Sequence, residues 1–459
     1  MRPKANMGKR LFFQLGTNNW QREGEFAPGS GILHESHHAA YNRMRGTRAY
    51  SVYPSTTQTS DDPLVRIFEL DHEVPICESV SPVSSYRFHS MSDDEFDRYV
   101  DRLTNITRDA IAAAEEAEGM DVTLAVAHHC FLNPLVLARL NAEREAAGRS
   151  RFPILCFVHG TALKMFAHEQ AGLDPEYPER FLTLMREEGV FSGAEKIESC
   201  AAISNEQLGK FADVFGDYPR DKMILSPNGY NLNVFTPNAA GDASRKEVLG
   251  RVELASAPNP VSLAPTSVAA DAEKVVVFCG KFADWKRLDA LLEAASHYEN
   301  DDAGKTVTLV IGSGPDSAVD HYHRLAYETL GLRNTYFLGP QPHAVIARLN
   351  AIADVGVYPS ESEPFGLVLI EAMGCGTPVI GADSGGPKDF VTQETGALVP
   401  ESPDRATFVA SLTRTVREAL AEDWKHTKGP EAFLYASSNF SIDGQCQGII
   451  DAVLGNESD

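Results

Sequence analysis

Short runs of apolar and β-branched residues, such as Phe152-Pro-Ile-Leu-Cys-Phe-Val158 and Lys274-Val-Val-Val-Phe-Cys-Gly280, alternate along this chain with longer stretches whose apolar positions recur at helical spacing. The first half reads as strands at 10–15, 65–70, 121–127, 152–158, 199–203 and 222–226, with helices from near Ile32, over 93–118, over 134–147 and after Asn205. Between 47 and 92 only the run at 65–70 carries a clear strand pattern. The second half repeats the scheme, with strands at 274–280, 306–311, 335–338, 354–358, from Val379 and at 396–399, and helices at 288–296, 343–353 and 404–422. Strands alternating with helices predict α/β architecture, a parallel sheet wound on both faces.

At 459 residues the chain is too long for one core. Residues 236–273 are rich in Pro, Ala, Ser and Gly and read as a linker between a domain at 1–235 and one at 274–439. The tail at about 440–459 has helical spacing late and is expected to pack back on the first domain. With 64 acidic and 41 basic residues the net charge is −23, which argues against nucleic acid and anionic lipid as partners. Seven cysteines without a Cys-x-x-Cys pair read as buried thiols in a reducing cytosol. Leu11-Phe-Phe13 is far short of a signal-peptide core, and no stretch reaches about 20 apolar residues, so the expectation is a cytoplasmic protein without membrane insertion.

The most informative stretch is 361–388, where Pro359 ends a strand, a loop carries Glu361 and Glu363, and a helix follows until Gly376 and Pro378 stop it. The first N–H groups of that helix, around Gly366, are unpaired donors suited to an anionic ligand. Glu363 and Glu371 lie about two turns apart and cannot flank one glycosidic bond as a hydrolase pair does. As acceptors, Glu371 suits a ribose diol and Glu363 the hydroxyls of a sugar. After Gly280 the loop holds Lys281, Lys286 and Arg287, a clamp for a diphosphate in an otherwise acidic chain. Gly312-Ser-Gly314 forms a strand-ending turn that admits a nucleotide, although Pro315 and the missing third glycine exclude a dinucleotide fingerprint. Gly29-Ser-Gly31 opens a helix and would bring backbone N–H groups to a phosphate or acceptor hydroxyl. His159 ends a strand beside Gly160 and faces a cleft in this reading, whereas His34, His37 and His38 read as solvated helix histidines, with no His-Glu-x-x-His to suggest metal.

Taken together, His159-Gly160, Pro227-Asn228-Gly229 before Phe235-x-Pro237, the basic loop from Gly280 to Lys286, Gly312-Ser-Gly314, and Glu363-Pro-Phe-Gly-Leu-x-x-x-Glu371 with Gly376-Thr-Pro378 and Gly385-Gly386 resemble the retaining, nucleotide-sugar-dependent glycosyltransferases of family 4. That resemblance implies the GT-B fold, two facing Rossmann-like doubly wound domains with a cleft between them. It implies that Glu371 holds ribose, Glu363 the transferred sugar, backbone at Phe365, Gly366 and Leu367 the sugar and phosphates, Lys281 and Lys286 the diphosphate, and His159 the donor sugar, with Gly31, Gly280, Gly312 and Gly314 also on the donor side. A UDP- or GDP-sugar would be co-substrate, a small molecule or saccharide the acceptor, and no metal or further cofactor would be needed. Three departures stand out: Lys281 occupies a position where the family usually has Arg, the linker is longer than usual, and the loop 17–30 matches nothing in the pattern. An epimerase or glycan phosphorylase on the same fold remains an alternative, and a non-catalytic sugar-nucleotide sensor a more distant one.

Overall fold

A computed structural model describes residues 9–17, 29–56, 60–75, 86, 88, 91–160, 163, 184–185, 187–259, 261, 263–299, 301 and 305–455. The chain divides into two compact units, one of residues 1–227 and 442–459 and one of residues 228–441. The loop at 18–28 and Thr161 lie outside the described residues.

The first unit is built on a seven-stranded sheet of β1 (Arg10–Leu15), β2 (Thr47–Ser55), β3 (Val65–Glu69), β4 (Leu124–His128), β5 (Ile154–Val158), β6 (Ser199–Ala202) and β7 (Met223–Leu225), in the order β3-β2-β1-β4-β5-β6-β7. All its pairings are parallel, and β1, β4 and β5 are buried along nearly their whole length, as both-faced packing requires. β2 is absent from the sequence reading because it buries Thr47, Ser51 and Ser55 and contains a proline. Pro54 is tolerated there because pairing with β1 ends at Val52, so its missing N–H falls beyond that neighbour. The helix Asp93–Glu118 matches its predicted bounds, since a Ser92–Glu95 capping box starts it and Gly119 at φ 66° ends it. The carboxyl-terminal helix Ile442–Leu454 lies against the helix Gly29–Arg43, where Arg43 pairs with Asp443 and His37 bonds Gln445 at 2.9 Å.

The second unit holds a six-stranded parallel sheet of β8 (Lys274–Cys279), β9 (Thr306–Ile311), β10 (Thr335–Gly339), β11 (Val355–Tyr358), β12 (Val379–Ala382) and β13 (Gly396–Val399), ordered β10-β9-β8-β11-β12-β13. Residues 236–273, read above as a linker, belong to this unit. Their short helix Arg245–Leu249 has its own capping box and buries Val248 and Leu249; Arg245 pairs with Asp354 at 3.1 Å, and the Ala255 N–H donates to the Phe337 carbonyl at 2.9 Å. A Pro-Ala-Ser composition describes such a strap as readily as a mobile tether, so composition alone misplaces the boundary. Among the described residues no helix is long and apolar enough to cross a membrane.

In both sheets the strand order reverses once, between β1 and β4 and between β8 and β11. The crevice beyond the carboxyl ends of such strands is where open α/β sheets bind ligands.

Candidate active site

In the second unit the loops that follow β8, β9, β11 and β12 meet at the β8/β11 reversal and are tied by backbone hydrogen bonds. The Glu361 N–H donates to the Trp285 carbonyl at 2.7 Å, the Gly386 N–H to the Glu363 carbonyl at 2.7 Å, and the Phe282 N–H to the Ser313 carbonyl at 2.8 Å. Two glycines make this knitting possible. A Cβ on Gly312 would sit 1.9 Å from the Gly280 carbonyl oxygen, and one on Gly385 would sit 2.2 Å from that of Glu363. Gly312, and Gly314 whose added Cβ would come 2.9 Å from the Phe282 carbonyl oxygen, therefore serve first to let loops pack on each other, a purpose that the reading of Gly312-Ser-Gly314 as a nucleotide turn does not include.

Within this frame Lys286 Nζ lies 2.5 Å from Glu363 Oε2, with both side chains about nine-tenths buried, and the ammonium also stands 4.2 Å from the centre of the Trp285 ring. The two residues assigned to diphosphate and to sugar are thus each other's partner. Lys281 is partly buried on the same loop. Arg287 serves a different end, pairing with Glu361 at 3.1 Å and Glu401 at 2.8 Å from a left-handed backbone that starts the helix Leu288–Tyr298. Gly366 at φ 103° opens the helix Leu367–Gly374, which leaves the N–H groups of Leu367 and Val368 at the carboxyl end of β11, ahead of the Leu369 N–H that donates to the Gly366 carbonyl at 3.0 Å; Phe365 is anchored below by Phe390 at 5.2 Å between ring centres.

Glu371 lies on that helix, and burial pushes its carboxyl up to about 8. The sequence reading treats it as an ionised acceptor, whereas burial favours its protonated form at neutral pH. Burial, with the Glu371 charge as second cause, likewise pushes the Cys279 thiol up to about 12, which marks the two as neighbours at the end of β8.

The first unit gathers histidines at its own reversal. His128 ends β4, His129 follows at φ 69°, His159 follows β5, and His34, His37 and His38 descend from the helix Gly29–Arg43. The helix histidines are not solvated, as their sequence suggests, but 1%, 0% and 4% exposed. His128 Nδ1 lies 3.0 Å from His159 Nε2, and His128 Nε2 lies 3.1 Å from Gln14 Oε1. Gly31 is buried in the first turn of the same helix. Helical i, i+3 and i+4 spacing of His34, His37 and His38 is the signal that puts them on one inward face, and an apolar-only count overlooks it.

Burial, followed by the charges of neighbouring imidazoles, holds His34, His128 and His159 well below the usual histidine range, and burial holds His37 at about 4. A group depressed in the folded state takes up its proton first in the unfolded chain, so its contribution is full above about pH 6.5 and is lost as pH falls toward 4. Urea unfolding at pH 7, 6, 5 and 4 is expected to show stability falling by about 1.4 kcal/mol per unit for each such histidine, and His37→Asn to flatten that slope. An unchanged midpoint between pH 6.5 and 4.5 would contradict the buried, neutral cluster.

The glycosyl transferases group 1 family profile matches residues 264–428. D-inositol 3-phosphate glycosyltransferase of Nocardia farcinica is 29% identical over 320 residues, 66% of this chain and 65% of the relative; that of Geodermatophilus obscurus is 31% identical over 252 residues, 53% and 51% of the two chains. The chain thus spans just under two thirds of the first relative's length. Sucrose-phosphate synthase from Thermosynechococcus elongatus superposes with a TM-score of 0.65 at 19% identity, covering 96% of this chain and 97% of that one. The Anabaena HepE protein solved with UDP-glucose gives 0.60 at 18%, covering 97% and 100%. At such identity these structures show the fold, the GT-B pair of parallel-sheet Rossmann-like domains. The stretch 264–428, which contains Gly280, Lys281, Lys286, Glu363 and Glu371, is a glycosyl transferases group 1 domain.

Proposed function

We propose that the chain is a retaining glycosyltransferase that moves a sugar from a nucleoside diphosphate, UDP or GDP, to the hydroxyl of a small soluble acceptor or saccharide. The observation that carries this reading is the buried Lys286–Glu363 pair beside the amino end of the helix Leu367–Gly374, at the strand-order reversal of the matched domain. That place offers a cation and unpaired N–H groups to a leaving diphosphate and a carboxylate to sugar hydroxyls. The relatives' names point to a cyclitol phosphate as one acceptor to try.

Chemically, the bond between the anomeric carbon and the diphosphate oxygen breaks as the acceptor oxygen bonds to that carbon from the same face, and the acceptor's proton passes to the departing diphosphate. Lys281, Lys286 and the helix N–H groups would stabilise the charge that develops on the leaving group, with no metal required at that position. Glu363 would orient sugar hydroxyls, Glu371 the ribose, and His159 the donor sugar through a neutral imidazole. The test is to incubate UDP- and GDP-sugars with D-inositol 3-phosphate and simple saccharides in chelator, and to read the product's anomeric configuration by NMR. The expected product keeps the donor's configuration. Inverted product, or turnover that returns only with magnesium or manganese, contradicts the proposal.

A further inference from the structure

We propose that His34, His129 and His159 bind a divalent transition-metal ion, Zn²⁺ foremost, at the carboxyl ends of β4 and β5 in the first unit. One potential ligand atom from each of the three lies within 4.8 Å of the other two. A tetrahedral ion at about 2.0–2.1 Å from each nitrogen sets them about 3.3 Å apart, so modest turning of the imidazoles closes the site.

Three observations point to a ligand rather than to packing. His34 is 1% exposed, yet neither Nδ1 nor Nε2 has a hydrogen-bond partner. A neutral imidazole carries one N–H and one lone pair, and native interiors seldom leave both unused. The second observation is an outer shell. Gln14 Oε1 can only accept, so His128 Nε2 carries its proton, His128 Nδ1 accepts from His159 Nε2–H, and His159 Nδ1 keeps its lone pair for coordination. Ligating histidines commonly donate their second ring N–H in this way. Third, His129 adopts φ 69°, a conformation rare outside glycine and concentrated where a side chain must be aimed.

The donor set selects the metal. Among the described residues the cluster consists of imidazoles alone, which suits Zn²⁺ and its neighbours and not Mg²⁺ or Ca²⁺, which need oxygen ligands. Binding stands independently of the transferase reading. Should that reading hold, the ion engages the imidazole that His159 would offer to the donor sugar, so Zn²⁺ is an inhibitor of transfer and not its cofactor.

Titrating the full, metal-stripped chain with Co²⁺ tests the site. The expected result is intense visible absorption of tetrahedral Co²⁺ saturating at one ion per chain, displaced by Zn²⁺, lost in His34→Ala and His34→Gln, and retained in the exposed His426→Ala. His128→Ala is expected to weaken Co²⁺ affinity about 10–100-fold through the lost outer-shell bond. A wild-type spectrum without the tetrahedral bands overturns the proposal, as do His34 variants that titrate like the wild type. Should no transfer be detected with any donor, the Co²⁺ spectrum still decides for or against the site; where transfer is measured, inhibition by Zn²⁺ is expected in the wild type and not in the His34 variants.

Discussion

Lys286→Ala is expected to lower kcat for glycosyl transfer by about 10²–10³-fold, the loss found when one preorganised electrostatic donor is removed from a charge-developing site. The same change also unpairs Glu363, so a drop in activity has two sources to separate, lost chemistry and a damaged fold. Breaking one partner of a buried ion pair costs about 3–5 kcal/mol, while replacing both with apolar residues of similar volume is often neutral. Lys286→Met with Glu363→Leu separates the two effects. The double variant should unfold near the wild-type midpoint and still be inactive, whereas either single change should be both destabilised and inactive. Activity within tenfold of wild type in the double variant would remove Lys286 and Glu363 from the chemistry and leave them as a structural pair.

Nucleotide affinity is expected to rise about 50-fold between pH 6 and pH 8, through Glu371. Ribose hydroxyls donate hydrogen bonds, so they need the carboxylate, and a carboxyl held at about 8 must release its proton before the diol can bind. Below pH 8 each unit of acidity then weakens binding by about tenfold, and above it the dependence flattens. Diphosphate titrates in the same range, so the reference is Glu371→Gln, which should bind more weakly and lack the excess slope. Calorimetry at pH 7 in buffers of different ionisation enthalpy should show about 0.9 proton released by the wild type and none attributable to the Gln variant. Equal proton release from both would mean that Glu371 keeps its proton, or never meets the ribose.

The sequence made the strands of the second sheet legible because apolar runs bounded by Gly and Pro have few other interpretations; the strand Thr306–Ile311 matches its predicted bounds. The helix Asp93–Glu118 was equally readable, since both its ends carry capping chemistry in their own residues. β2 was not, because Ser51 is buried by tertiary bonds to Gln14 and His38 that no local pattern encodes. Motif spacing placed Glu363 and Lys286 on adjoining loops, but the 2.5 Å pairing between them joins positions 77 apart in the chain. The protonation of Glu371 and the burial of His34 and His37 follow from what surrounds them in three dimensions. A sequence names titratable groups without stating the medium in which they titrate.

The return of the helix Ile442–Leu454 to the first unit bears on the order in which the protein forms during synthesis. Everything the second unit needs lies between 228 and 441, with its entry and exit side by side, where the Tyr230 N–H meets the Phe440 carbonyl at 2.9 Å. It can close as soon as that segment clears the ribosome. The first unit, although it starts earlier, must wait for Gln445 to reach His37 and Ser226, so the half of the protein translated first is the half completed last. A nascent chain arrested before residue 442 would present a finished second unit beside a first unit whose Gly29–Arg43 helix still exposes the face meant for its last partner.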